Sequence, residues 1–207
     1  MTNTCLLAAL TLAGTFAIAA VAAPLTFDFR DPKGVNAIQF SLDSLLEPIA
    51  GTASGITGTI TFDPTTPAAT SGSIIVAADS LVVPNNSMTE HMHGAGWIDV
   101  ASHPTITFTI NKLSDVTPAG RGIKATAHGN FTLKGVSKDL AVPVTVTHLP
   151  DALGARTRPE NKGDLLVVRG EFTLDRGEFG IKPGENEDKV ASEIKLSLAI
   201  VGSAPKA

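Results

Sequence analysis

The chain has few of the residue types on which many enzymes and nucleic-acid-binding proteins depend. Its 207 residues include one cysteine, one tryptophan and no tyrosine. The cysteine, Cys5, lies in an apolar leader, so a mature chain without that leader has no thiol for catalysis, disulfides or metal ligation. Aromatic residues are scarce, the net charge is −4 and no basic stripe is present. We therefore predict no nucleic-acid partner.

Motifs of the common catalytic sites are also missing. The sequence has no Gly-x-Ser-x-Gly elbow, no His-Glu-x-x-His and no phosphate-binding loop. Its acidic residues are scattered through predicted turns, whereas a two-carboxylate hydrolase needs a facing pair. The sequence therefore predicts a protein that is not an enzyme and that uses no cofactor.

The first part of the chain has the features of an export signal. Residues 3–23 carry no charge, and near the end of this run lie the small residues Ala20, Val21 and Ala22. This pattern predicts a cleaved signal peptide over residues 1–22, a mature domain over residues 23–207, and a periplasmic or secreted protein. No Lys or Arg precedes the apolar run, and the run is nearly long enough to span a bilayer, so an uncleaved anchor is the alternative. After cleavage we expect no stable membrane span.

The mature sequence alternates apolar and polar residues with the period of half-buried strands. The clearest runs cover residues 105–110 and 123–133, and about eight or nine such runs occur in all. Residues 47–55 indicate a loop or bent segment, and no convincing amphipathic helix exceeds two turns. The pattern predicts an all-β, antiparallel fold. Eight strands suffice to close a barrel around one small ligand, but a two-sheet sandwich fits the same count.

Both methionines beyond Met1 lie in the segment MTEHMH, residues 88–93, beside two histidines. Thioether and imidazole groups together suit copper, although His-x-His alone is a weak metal signal. The alternative function is therefore a periplasmic copper- or zinc-binding protein with Met88, His91, Met92 and His93 as ligands. The favoured interpretation includes no metal.

Three stretches resemble the YceI-like, polyisoprenoid-binding family of exported bacterial proteins. They are EHMHGAGWIDVASHPTITF (90–108), GNFTLKGVSK (129–138) followed by LAVPV (140–144), and RGEFGI (176–181). The resemblance implies an extended, antiparallel, lipocalin-like β-barrel of about eight strands, and so favours the barrel over the sandwich. It also implies that an isoprenoid or other long-chain lipid lies in the apolar interior. The chain departs from the family at His93, where a basic residue is usual, and at Gly96, where an acidic one is usual.

The candidate ligand-binding residues are inward-facing apolar side chains, or polar side chains at one end of the interior. They are Phe40, Phe62, His91, Trp97, Ile106, Phe108, Phe131, Phe172, Arg176 and Phe179. The apolar members equally suit a filled core.

Two of these candidates are polar, and each has a second interpretation. Arg176 suits a phosphate or carboxylate head group, or an ion pair with Asp175, Glu178 or Glu185. His91 suits a head group, or a backbone carbonyl of its own loop. The long-chain lipid is the partner that we predict, and the sequence leaves a homodimer open.

Overall fold

The computed structural model describes residues 23–206, and the predicted signal peptide with its cleavage site lies outside the described residues. Ten strands account for most of the described chain. They are β1 (Leu25–Asp28), β2 (Ala37–Asp43), β3 (Pro48–Ala53), β4 (Ile56–Phe62), β5 (Ser71–Ala77), β6 (Thr105–Ala119), β7 (Gly122–Leu133), β8 (Val136–Leu149), β9 (Gly163–Asp175) and β10 (Glu193–Pro205). The helices are α1 (Asn86–His93) and α2 (Leu153–Arg156), with 3-10 turns at Pro67–Ala69, Ala78–Ser80 and Arg176–Phe179.

Eight of the strands form a closed antiparallel ring. The neighbours run β1-β4-β5-β6-β7-β8-β9-β10, and β10 returns to β1 where Ser203 pairs with Asp28. Closure pairs the first and last strands of the ring, and β3 remains as the edge strand of the ten-stranded sheet. The prediction of an antiparallel barrel of about eight strands is confirmed.

The β2–β3 hairpin extends the wall beyond this ring. β10 pairs with β2 between Lys195 and Ala199, and β2 pairs in turn with β3. The expectation of a loop over residues 47–55 is therefore wrong over Pro48–Ala53. The segment has small residues where strands usually carry bulky ones, because the ring of Phe40 lies against Gly51, its partner across the ladder. A side chain at Gly51 would occupy the space of that ring.

Side-chain alternation directs one face of each strand into the barrel. On β7, Ala125, Ala127 and Phe131 are buried, and the intervening residues are more exposed. The turn into β8 has positive φ at Lys134 (49°) and Gly135 (74°), as a two-residue hairpin turn requires. In the register that follows, Ala127 pairs with Val142, so these two side chains lie on the same face of the sheet. Phe131 lies on that face as well, four residues further along β7, and the face points inward.

Helix α1 packs across one end of the barrel. The side chain of Asn85 caps it by accepting a hydrogen bond from the backbone N–H of Met88 at 3.1 Å. Met88 and Met92 pack against the main core, which fixes the helix over the interior. The sequence indicated no convincing amphipathic helix longer than two turns, and α1 has eight residues, slightly more than two turns. None of the helices within residues 23–206 is long and apolar enough to cross a membrane.

Candidate ligand-binding cavity

The barrel encloses a cavity of about 480 Å³, within the range of about 300–1,000 Å³ that is usual for ligand sites. Its wall includes β10 from Ile194 to Ile200, a span of about 20 Å at about 3.3 Å per residue. Several inward-facing side chains of the wall are only partly buried, including Ile38, Phe172 and Leu198. Partial burial is expected of side chains that face unfilled space, so the interior is not a filled core.

Exposed polar residues mark one end of the cavity as its mouth. Glu47 comes from the β2–β3 connection, His91 from α1, and Asn186 and Lys189 from the β9–β10 connection. A hydrogen bond from the backbone N–H of Leu46 to the carbonyl of Asp188, 2.9 Å long, joins the first and last of these segments. Most of the remaining wall is apolar. The site therefore suits an amphiphile whose tail enters the barrel and whose head stays near the mouth.

The structure brings nearly all of the sequence-predicted site residues to this cavity. The lining includes Phe40, Phe62, His91, Trp97, Ile106, Phe108, Phe131, Phe172 and Arg176. Phe179 is the exception: it is 1 % exposed and packs edge-on behind Phe131, with ring centroids 5.6 Å apart. Phe179 thus supports the wall and does not form its surface. Direct contact of the other residues with a ligand stays a prediction.

Arg176 is fully buried and organises the mouth. Its guanidinium donates to five backbone carbonyls of the β9–β10 connection, those of Ile181, Lys182, Glu185, Val190 and Ala191. An arginine has five N–H groups, so these bonds use its donors. Among the described residues no carboxylate lies within ion-pair distance of Arg176, and the alternative ion pairs with acidic neighbours are therefore absent. Its predicted role in holding a head group would require some of these carbonyl bonds to break.

Helix α1 separates the proposed metal ligands. Met88, His91 and Met92 line the cavity, since positions three and four apart share a helix face. His93 is two positions from His91 and therefore points elsewhere. Its Nε2 lies 2.8 Å from the carbonyl oxygen of Leu81. The structure does not bring the four side chains together as one ligand set.

Trp97 lies at the mouth end of the cavity between charged and aromatic neighbours. The guanidinium of Arg176 and the ammonium of Lys182 each lie 5.5 Å from the centre of its ring, within cation–π range. The ring of His91 is 6.0 Å away, centroid to centroid. Among the residues that the structure describes, the Nε1 of Trp97 is the one buried side-chain nitrogen or oxygen that has no hydrogen-bond partner.

A polar cluster around the buried carboxylate of Asp164 lies at the opposite end of the barrel. His148 Nε2 is 2.9 Å from the carboxylate of Asp164, and Lys206 Nζ is 2.8 Å from the same group. Burial alone would raise the pKa of Asp164, but hydrogen bonds from Lys206, from the backbone of Asp151 and from His148 outweigh it and lower the pKa. The His148 ring packs against Phe27 and Phe62, so the cluster contacts the apolar core at this end.

The sequence interpretation missed parts of the wall. Met88 and Met92 were considered only as metal ligands, although methionines often fill irregular apolar surfaces. Leu196 and Leu198 alternate with the polar residues Lys195 and Ser197 in the sequence, and that alternation was a sufficient signal for them. Glu47 and Lys189 had no such signal, because they reach the mouth through connections whose path the alternation does not predict.

A closed antiparallel ring around an apolar cavity with a polar mouth is a lipocalin-like β-barrel. The protein-family model of the YceI-like domain matches residues 31–202 of this chain. The chain therefore belongs to the YceI-like family.

Comparison with known proteins agrees with this assignment. Protein YceI of Salmonella arizonae is 30% identical over 154 residues, which cover 73% of this chain and 72% of that protein. BcnA of Burkholderia cenocepacia has the same fold, with a TM-score of 0.66 at 22% identity over 80% of this chain and 95% of its own. A polyisoprenoid-binding domain from Saccharophagus degradans also matches, with a TM-score of 0.63 at 9% identity over 88% of this chain and 100% of its own.

Proposed function

We propose that the protein is an exported, non-enzymatic binding protein that carries or sequesters an isoprenoid or other long-chain lipid in its barrel. The observation that carries the proposal is the apolar cavity of about 480 Å³ with polar residues at one end. Membership of the YceI-like family supports it, as does the fold shared with a polyisoprenoid-binding domain. The uncharged leader sequence supports export to the periplasm or beyond the cell.

The energetics favour a long tail over a short one. Each CH2 group transferred from water to the apolar wall contributes about 0.8 kcal/mol, so ten such groups contribute about 8 kcal/mol before the costs of association. Apolar walls discriminate by length and width, so affinity should rise with chain length until the cavity is full.

Native mass spectrometry of the protein purified from its own periplasm or medium tests the proposal. We expect one co-purifying lipid per chain, identifiable after solvent extraction, and a mature chain that begins at Ala23. Delipidated protein should then bind a series of straight-chain lipids with affinity that increases with length. Bare protein that also fails to bind the series after delipidation would refute the proposal. A copper or zinc adduct without lipid would favour the metal-binding alternative.

A further inference from the structure

Two neighbouring leucines lie exposed beside the mouth of the cavity. Leu45 is 84 % exposed and Leu46 is 58 % exposed. Of the large hydrophobic side chains that are exposed within residues 23–206, they are the only two that are adjacent in the chain. Single exposed apolar residues are ordinary on a soluble protein, whereas contiguous ones rimmed by polar residues mark contacts with proteins or membranes.

The two leucines belong to the turn between β2 and β3, which forms part of the rim of the mouth. The apolar residues on either side of this turn, Leu42 on β2 and Ile49 on β3, line the cavity. The turn therefore begins and ends at the cavity wall, and Leu45 and Leu46 project outside it. A lipid that enters or leaves through the mouth passes close to them.

Hydrogen bonds hold the turn against the β9–β10 connection. The backbone N–H of Leu46 donates to the carbonyl of Asp188 at 2.9 Å. The buried hydroxyl of Ser44 accepts from the backbone N–H of Ala191 at 2.8 Å. These bonds fix the backbone on both sides of Leu45, so the turn cannot carry its leucines into the core without breaking them. The leucines are thus held in water, which is unfavourable until another apolar surface covers them.

The charge around the mouth indicates which kind of surface covers the leucines. The two connections at the rim, residues 44–47 and 180–192, contain four carboxylates and two lysines, namely Glu47, Glu185, Glu187, Asp188, Lys182 and Lys189. An anionic membrane attracts clusters of basic residues, so this excess of negative charge opposes binding to one. A bilayer without net charge imposes no such repulsion, and its acyl boundary accepts apolar side chains.

We propose that Leu45 and Leu46 insert into the surface of a lipid bilayer without net charge and bring the mouth of the barrel against it. The lipid then passes between bilayer and cavity without crossing water. The inference rests on the proposed function, because a long-chain lipid is scarcely soluble in water and is held in membranes. The leucines reach the acyl boundary, while the polar residues of the rim stay at the level of the head groups. Docking is reversible, since two side chains bury far less apolar area than a transmembrane helix.

Flotation with phosphatidylcholine vesicles measures the docking. Delipidated mature protein should bind the vesicles, and replacement of part of the phosphatidylcholine by phosphatidylglycerol should weaken the binding. The Leu45→Ser/Leu46→Ser variant should bind about 100-fold more weakly, because burial of one leucine side chain contributes about tenfold to a partition constant.

Val35→Ser is the matched control. Val35 is also exposed, but it precedes β2 whereas the leucines follow it. The seven residues of β2 separate the two sites by about 23 Å at about 3.3 Å per residue. We expect this variant to bind vesicles as the wild type does.

A fluorescent label reports whether the turn itself enters the bilayer. A chain that begins at Ala23 has no cysteine, so Leu45→Cys and Val35→Cys each accept one thiol-reactive nitrobenzoxadiazole label. We expect vesicles to brighten and blue-shift the emission at position 45 and to leave the label at position 35 unchanged. This measurement decides the question even if the double serine variant does not fold.

Binding of straight-chain lipids in the absence of vesicles separates this inference from the proposed function. Wild type that binds those lipids but not the vesicles would overturn the inference and leave the proposed function standing. Equal vesicle binding by wild type and the double serine variant, or binding that strengthens with phosphatidylglycerol, would overturn it as well. A wild-type dimer that the double serine variant abolishes, without vesicle binding, would assign the leucines to a second copy of this chain instead. Protein that binds vesicles through the leucines but takes up no lipid would refute the proposed function alone.

Discussion

Filling the cavity from both sides should abolish lipid binding without destabilising the empty protein. Leu198 on β10 and Ile106 on β6 both line the cavity, and their strands are four places apart in the ring of eight. The two side chains therefore project from opposite walls. Phenylalanine adds about three carbons at each position, and a void that accepts both rings would stabilise the fold by up to about 5 kcal/mol. In a packed interior the same changes would cost about 1–3 kcal/mol each.

The sign of the stability change is the measured quantity. Delipidated wild type and the Leu198→Phe/Ile106→Phe variant are unfolded in guanidinium chloride. When the two transitions have the same dependence of free energy on denaturant, the difference between their midpoint concentrations gives the change in stability. Binding is measured by calorimetric titration of the lipid identified in the wild type. The control is Ala199→Phe, which places the same ring on the exposed outer face of β10. We expect the control to bind as the wild type does.

One combination of results would refute the reasoning. If the double variant unfolds at lower denaturant and still binds lipid with wild-type affinity, the interior is packed and the ligand lies elsewhere. A stable variant that has lost binding would place the lipid between β6 and β10.

Three further changes test particular contacts. Arg176→Met should lower the unfolding free energy by about 2–4 kcal/mol, because several buried carbonyls lose their donor, and denaturant titration measures it. Gly51→Ala should lower the melting temperature, since its new Cβ would lie 2.3 Å from Cζ of Phe40. The pKa of Asp164 is depressed in the folded state, so its contribution to stability is present at neutral pH and declines as the pH falls below the ordinary value of 3.8. Asp164→Asn should therefore weaken the acid dependence of unfolding, measured between neutral pH and pH values below 3.8.

The sequence predicted those parts of the fold in which side-chain size alternates strongly. β6 and β7 were recognised because bulky residues such as Phe108 and Phe131 recur at every second position. β3 was missed because it is built of small residues, and its strand character depends on the ring of Phe40, which comes from another strand. Alternation alone could not choose between barrel and sandwich, since that choice depends on the pairing of Asp28 with Ser203, far apart in the chain.

In the candidate site, too, some features could be predicted from the sequence and others could not. Its apolar wall could be predicted because inward-facing residues follow the strand period, and only Phe179 lies behind the wall instead of on it. The role of Arg176 could not be predicted, because its partners are backbone carbonyls that the sequence does not distinguish from any others. The unpaired N–H of Trp97 likewise becomes apparent only when every acceptor around it is located.

The position of β10 in the ring has a consequence for the order of folding. Strands β4 to β9 can pair with their sequence neighbours as successive hairpins, whereas β10 must also pair with β1 and β2 from the other end of the chain. Pairing over such a separation is entropically costly and slow, so we expect the ring to close late. Until then the apolar inner face is open along its side. A lipid present during refolding could therefore be enclosed by closure itself, and should then be acquired faster than by a barrel that is already closed.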